Sequence, residues 1–268
     1  MLKIAVVGAA GRMGQALVHT VTKNPFTALS GVLEREGHPL IGKDAGTTAG
    51  LDKLGVKIKD SAEKAFKEAD CLIDFSTPEA TLAHLELAAE EDKAIIIGTT
   101  GLSHHQRERV KELGEETRVV MAPNMSVGIN LLLKLVELTA SVLGDDYDVE
   151  IIESHHRHKK DAPSGTALRI AEVAAHALGR TLEEDAIYSR KGIIGERKPS
   201  EIGIQTIRAG DIVGDHTIMF ATPGERIELT HKAQSRDTFA KGAVRAALWL
   251  SGKPAGLYDM QDVLGLKE

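Results

Sequence analysis

The sequence predicts an α/β protein: a parallel sheet with helices on both faces, and a smaller α+β domain inserted before the chain returns to the first. Three observations carry this reading. Short, almost wholly apolar strand signals alternate with helix signals through the first half, as they must where strands are buried on both faces and joined by crossover helices. A glycine-rich turn, Gly8-Ala9-Ala10-Gly11-Arg12-Met13-Gly14, joins the first strand to the first helix. After Pro123 the pattern changes, and from Ile202 to Ala233 it reads as strands separated by turns.

Lys3–Val7 is a strand that stops at Gly8, and Met13, Leu17 and Val21 then share one helix face until Asn24-Pro25 ends it. Ala28–Leu33 and Cys71–Phe75 read as strands. Thr77-Pro78-Glu79 opens a helix, with Pro in the first turn and an acid at the positive end. Ala94–Ile97 is a strand, Ser103 with Gln106 makes a capping box for the next helix, and Arg118–Met121 is a further strand. Asn130–Leu143 is helical and closes at Gly144, Val149–Glu153 is a strand, and a polar segment leads to a helix over Thr166–Leu178. Ala209-Gly210-Asp211 and Thr222-Pro223-Gly224-Glu225 are turns, and Arg226–Lys232 alternates apolar and polar residues. Ser235–Leu250 is helical and is expected to pack back on the first domain, which gives residues 1–125 with 235–268 as one domain and 126–234 as the other.

The chain has 268 residues, 42% hydrophobic and 27% charged, enough for two ordinary cores. A net charge of -6 and 3% aromatics disfavour a nucleic-acid binder or a protein of anionic membrane surfaces. Cys71 is the single cysteine and lies in a strand, so it reads as a core residue, and no internal disulfide forms. No signal peptide is read at Met1-Leu2-Lys3-Ile4, and no run is read as approaching the ~20 apolar residues that span a bilayer. A cytoplasmic protein is expected.

The spacing G-x-x-G-x-x-G between strand and helix is the Rossmann-type dinucleotide signature. Glycines let backbone approach the pyrophosphate, and the helix N-terminus supplies free N–H groups. Gly8, Ala9, Ala10, Gly11, Arg12 and Met13 are therefore cofactor candidates. Glu34, at the end of the second strand, suits ribose hydroxyls and favours NADH. Arg35 beside it suits a 2′-phosphate and favours NADPH. The pair points to loose discrimination; its bland alternative is a solvated charge pair. Gly98-Thr99-Thr100-Gly101 and Ala122-Pro123-Asn124-Met125 follow strands, on the carboxyl rim where such sheets bind ligands, and suit a nicotinamide.

The most informative segment runs from Glu150 through Glu153-Ser154-His155-His156-Arg157-His158-Lys159-Lys160-Asp161 to Pro163-Ser164-Gly165-Thr166-Ala167. It concentrates positive charge in an acidic chain and then enters a helix, whose N-terminus suits a carboxylate. Histidine and lysine beside an anion site deliver protons. His156 with His158 also resembles a metal pair, but no third ligand stands out and no metal is assigned. A solvated basic loop is the remaining alternative.

This segment resembles the signature of the dihydrodipicolinate reductase family: His155, Lys159, Asp161 and Pro163 to Ala167 each match. Gly8–Gly14, Glu34-Arg35, Gly98–Gly101, Ala122–Asn130 and Gly256–Val263 are similar too. The resemblance implies reduction of a cyclic dicarboxylate imine by NADH or NADPH. It implies that His155 is a proton donor and acceptor, Lys159 a proton donor, and His156, Gly165 and Thr166 substrate contacts. It also implies that the second domain binds substrate and joins a homotetramer. Alternatives kept from the residues alone are a dehydrogenase of another small anion and a non-catalytic NAD(H) sensor.

Overall fold

The structure, a computed structural model, describes residues 1–267. Its elements are β1 (Leu2–Val7), α1 (Arg12–Lys23), β2 (Thr27–Leu33), α2 (Ala45–Thr48), α3 (Ala62–Phe66), β3 (Cys71–Asp74), α4 (Pro78–Glu90), β4 (Ala94–Ile97), α5 (His104–Gly114), β5 (Arg118–Met121), α6 (Val127–Leu143), β6 (Asp148–His155), α7 (Gly165–Ala177), α8 (Leu182–Asp185), β7 (Ala186–Ile187), β8 (Ile202–Arg208), β9 (Gly214–Thr222), β10 (Glu225–Ala233), α9 (Asp237–Leu250), β11 (Gly256–Tyr258) and α10 (Met260–Leu264). They form two units: Met1–Val127 with the chain from Arg236 onward, and Gly128–Ser235.

The first unit holds a six-stranded parallel sheet in the order β11-β5-β4-β3-β1-β2. Its strands read as continuous apolar runs because alternate residues feed two cores. Ile4, Val6, Ile73 and Ile96 pack with Leu17 and Val21 of α1 and with Ala243, Ala247 and Leu250 of α9. Ala5, Val7, Leu72 and Ile95 pack with Phe66, Leu85, Val110 and Leu113 of α3, α4 and α5. Cys71 belongs to the first core, and burial pushes its thiol up to about 12, so it is chemically inert. From β1 the chain goes to β2 on one side and then to β3 on the other. That reversal opens a crevice at the carboxyl ends of β1 and β3, where doubly wound sheets bind nucleotides. The capping box of α5 is present in both directions, and Thr77 caps α4 with Pro78 in its first turn.

The second unit holds a five-stranded mixed sheet, β10-β9-β6-β8-β7, with β9 antiparallel to both neighbours. One face packs Val149, Ile151, Ile204, Ile218 and Phe220 against α6 and α7. On the polar side Glu150 takes a two-pronged bond from Arg190 at 2.9 and 2.9 Å and another from Arg197 at 3.1 Å.

Several sequence readings change or gain an element. The strand expected to end at Glu153 continues through His155, because Ser154 keeps its ladder partner Asp215 and His155 pairs with Arg208. The helix expected from Asn130 begins at Val127, and that expected from Ser235 begins at Asp237. β11, too short to carry a periodicity, adds to the first sheet beside β5. Lastly, Val127–Asp146, 20 residues with mean hydropathy 1.6, is long and apolar enough by those measures to cross a bilayer. It nevertheless carries the Lys134–Glu137 ion pair at 3.1 Å and buries Ile129, Leu132, Val136 and Ala140 in the second unit's core.

Candidate active site

In the first unit the glycine loop, Glu34 and Arg35 come together. Gly8 takes φ +72 and its N–H donates to Leu33 O at 2.9 Å, so the loop folds back onto the end of β2. A Cβ on Gly14 would stand 2.1 Å from Gly8 O, so only glycine lets α1 pack this tightly on the turn. Gly11 caps α1 without a side-chain bond, and no acid lies in its first turn. The helix therefore presents amides and positive potential to an anion. The Glu34 carboxylate accepts from Ala10 N–H at 3.0 Å and Arg35 N–H at 3.1 Å, locking the strand end to the loop. Arg12, the first residue of α1, is exposed, and the Arg236 pKa is lowered, first by burial and then by the nearby charge of Arg12. These residues fit a dinucleotide pyrophosphate and its adenosine ribose.

The other two segments expected to face the cofactor lie on the same carboxyl rim. Gly98 N–H donates to Asp74 O at 2.8 Å, and Thr99 turns inward to share a 2.7 Å hydrogen bond with Thr81. Thr100 is exposed. Ala122 N–H donates to Ile97 O at 3.1 Å, Pro123 is exposed, and Asn124 Oδ1 accepts from Ser126 N–H at 2.9 Å. Met125 is a core residue, 1% exposed, so its side chain holds the rim in place.

In the second unit the alternation of β6 turns Glu153 and His155 to the same face as Val149 and Ile151. Glu153 is 0% exposed and accepts five hydrogen bonds. Arg208 donates at 2.8 and 2.8 Å, Ser164 N–H at 3.0 Å, Thr206 Oγ1 at 3.2 Å and His155 Nδ1 at 2.6 Å. Burial alone would raise its pKa; the bonds from His155, Arg208 and Ser164 outweigh burial and bring it down to about 2. His216 meets the His155 ring edge-on at 5.2 Å and hydrogen-bonds Ser164 Oγ at 3.1 Å. Burial, then the charge of His155, holds the His216 pKa down to about 3; Lys159 adds in the same direction, so it lies within electrostatic reach. Lys159 pairs with Asp161 at 2.8 Å, and that bond keeps the Asp161 carboxyl below its usual range. The Asp161 carbonyl accepts from Arg208 at 2.7 Å. Ser164 Oγ caps α7 through Ala167 N–H at 3.2 Å, and Gly165 and Thr166 form the first turn of that helix. The His156 and His158 rings are 6.2 Å apart.

Sequence reasoning did not assign roles to Glu153, Thr206, Arg208 or His216. Glu153 was accessible through its i, i+2 relation to His155. The others reach the site only through strand register, which pairs Glu153 with Thr206 and with His216.

A glycine loop that fits a dinucleotide in one unit, and a charged cluster around buried Glu153 in the other, accord with a pyridine-nucleotide oxidoreductase, and this chain is an enzyme of that class. Family models described as dihydrodipicolinate reductase, N-terminus, and dihydrodipicolinate reductase, C-terminus, match residues 2–125 and 128–264. The 4-hydroxy-tetrahydrodipicolinate reductase of Hahella chejuensis is 60% identical over 267 residues, and that of Pseudomonas fluorescens 57% over 268, with all of each chain covered. A solved dipicolinate-bound dihydrodipicolinate reductase from Paenisporosarcina sp. TG-14 superposes with TM-score 0.77 at 26% identity, covering 98% of both chains. The chain belongs to the dihydrodipicolinate reductase family.

Proposed function

We propose that this enzyme reduces 4-hydroxy-tetrahydrodipicolinate to tetrahydrodipicolinate, a step of diaminopimelate and lysine biosynthesis. NAD(P)H and one proton are consumed; NAD(P)+ and water are released. The observation that carries the reading is the cluster of His155, Lys159 and the N-terminus of α7 in a family member whose full-length relatives bear this activity in their names.

When bound, the reduced nicotinamide supplies the hydride. Gly8, Ala9, Ala10, Gly11, Arg12 and Met13 hold the pyrophosphate, and Glu34 orients the ribose. Arg35 accepts the 2′-phosphate, so both NADH and NADPH serve. Residues 98–100 and 122–125 line the nicotinamide end. His156 and the amides of Gly165 and Thr166 bind the substrate carboxylates. His155 and Lys159 deliver the proton and offset negative charge that develops on the ring. The protein works in the cytoplasm as a tetramer joined through the second unit; the exposed Ile207 and Ile227 of its sheet support that assembly.

The test is the initial rate of NADH and of NADPH oxidation with the cyclic substrate formed in situ by its synthase. Turnover with both is expected, and no oxidation with either overturns the reading.

A further inference from the structure

Glu153 has no role in the proton transfer as just described, yet it is built into the site more firmly than any residue that has one. It is 0% exposed, and four of its five hydrogen bonds come from Arg208, Ser164 N–H and Thr206. Those four donors fix the carboxylate in place. The fifth bond, 2.6 Å from Oε2 to His155 Nδ1, is the one the other four aim. A carboxylate only accepts, so Nδ1 must carry the hydrogen.

We propose that Glu153 is a positioning residue: it holds His155 as the Nδ1–H tautomer and so makes Nε2 the atom that exchanges a proton with substrate. This rests on the proton role given to His155 above. Two further features serve the same end. Gly214 lies against Nε2, where a Cβ would stand 3.0 Å from that nitrogen and 3.4 Å from Cδ2. His216, kept neutral by burial, meets the ring edge-on and fixes its plane without adding charge. The same carboxylate accepts the N–H of Ser164, the cap of α7. One group thus orients both the imidazole and the turn that presents Gly165 and Thr166. In the transfer the Nε2–H bond of the imidazolium breaks and the proton bonds to the substrate ring. The electron pair of that bond stays on Nε2, and Nδ1–H remains on Glu153, which takes up no proton.

The test uses the full chain labelled with nitrogen-15 histidine, with His155 signals assigned by their loss in His155→Gln. Long-range proton–nitrogen correlation at pH 8 is expected to show a pyrrole-type Nδ1 and a pyridine-type Nε2. In Glu153→Gln, Arg208 and Ser164 compete for the one amide oxygen and the NH2 faces His155. The Nε2–H form then becomes the major one, and kcat falls on the order of 10²-fold with KM within about twofold. Glu153→Asp restores part of kcat. Gly214→Ala leaves the tautomer unchanged and lowers kcat about tenfold by crowding Nε2. A wild-type His155 in the Nε2–H form overturns the proposal, as does an unaltered tautomer in a folded Glu153→Gln. If that variant does not fold, the wild-type spectrum and Gly214→Ala decide. A tautomer that switches with no loss of kcat overturns the positioning role together with the proton role of His155, whereas the wrong wild-type tautomer overturns the positioning alone.

Discussion

Acidification should weaken the second unit before Glu153 titrates, and His216 is the reason. Its pKa falls from 6.5 in the unfolded chain to about 3 in the fold, because burial disfavours the imidazolium and the charge of His155 opposes it further. The unfolded state therefore binds the proton first, so stability is complete above pH 6.5 and declines as pH falls toward 3. At pH 5 the loss is about 2 kcal/mol, one and a half pH units at roughly 1.4 kcal/mol each. Glu153 contributes with the same sign in a lower window: its pKa falls from 4.5 to about 2, so its stabilisation is intact above 4.5 and lost below it. The two windows separate at pH 5. The His231 pKa is also lowered by burial and acts in the same window as His216, so His231→Gln is the control. The assay is urea unfolding at pH 7.5 and pH 5 for the wild type, His216→Gln and His231→Gln, followed by a signal of the second unit. His216→Gln should lose about 2 kcal/mol less than the wild type between the two pH values. Equal losses in wild type and His216→Gln would refute the assignment.

Lys159→Ala should lower kcat on the order of 10²-fold while leaving NADH affinity within about twofold, read from steady-state rates and cofactor titration; near-normal turnover removes its proton role. Arg35→Ala should raise KM for NADPH about tenfold and leave that for NADH unchanged, since only the former carries the 2′-phosphate. Gly14→Ala puts a Cβ 2.1 Å from Gly8 O, so thermal unfolding should show a loss of about 2 kcal/mol or more and weakened binding of both cofactors.

How much of this was legible in the text depended on distance along the chain. The glycine loop, its strand and helix, and Glu34 form one local unit whose signals lie within thirty-odd residues, and each was readable. So were the helix start at Thr77-Pro78 and Ser103 as a cap, because such signals act within a few residues. In the second unit His155 and Lys159 stood out as candidates by residue type, but their geometry did not. The strand expected to stop at Glu153 reaches His155 because ladder partners on β8 and β9 satisfy polar residues that locally look like loop. Arg208 is separated from Glu153 by 55 residues, and nothing local marks an arginine at a strand end as the partner of a buried acid. Local propensity does not encode strand register.

The order in which the chain is made carries a cost that the finished sheet conceals. The core on one face of the first unit draws Ala240, Ala243, Val244, Ala247 and Leu250 from α9, after the whole of the second unit. On the ribosome, where domains commonly fold as they emerge, the nucleotide-binding unit is translated first and completed last. Its nascent sheet must wait with Ile4, Val6, Ile73 and Ile96 covered on that face by α1 but not yet by α9, while the inserted unit, contiguous from Gly128 to Ser235, already has every residue it needs. Cofactor binding can therefore mature only near the end of synthesis, and a chain cut short at residue 235 would present a half-covered apolar face to chaperones instead of a finished cradle to a dinucleotide.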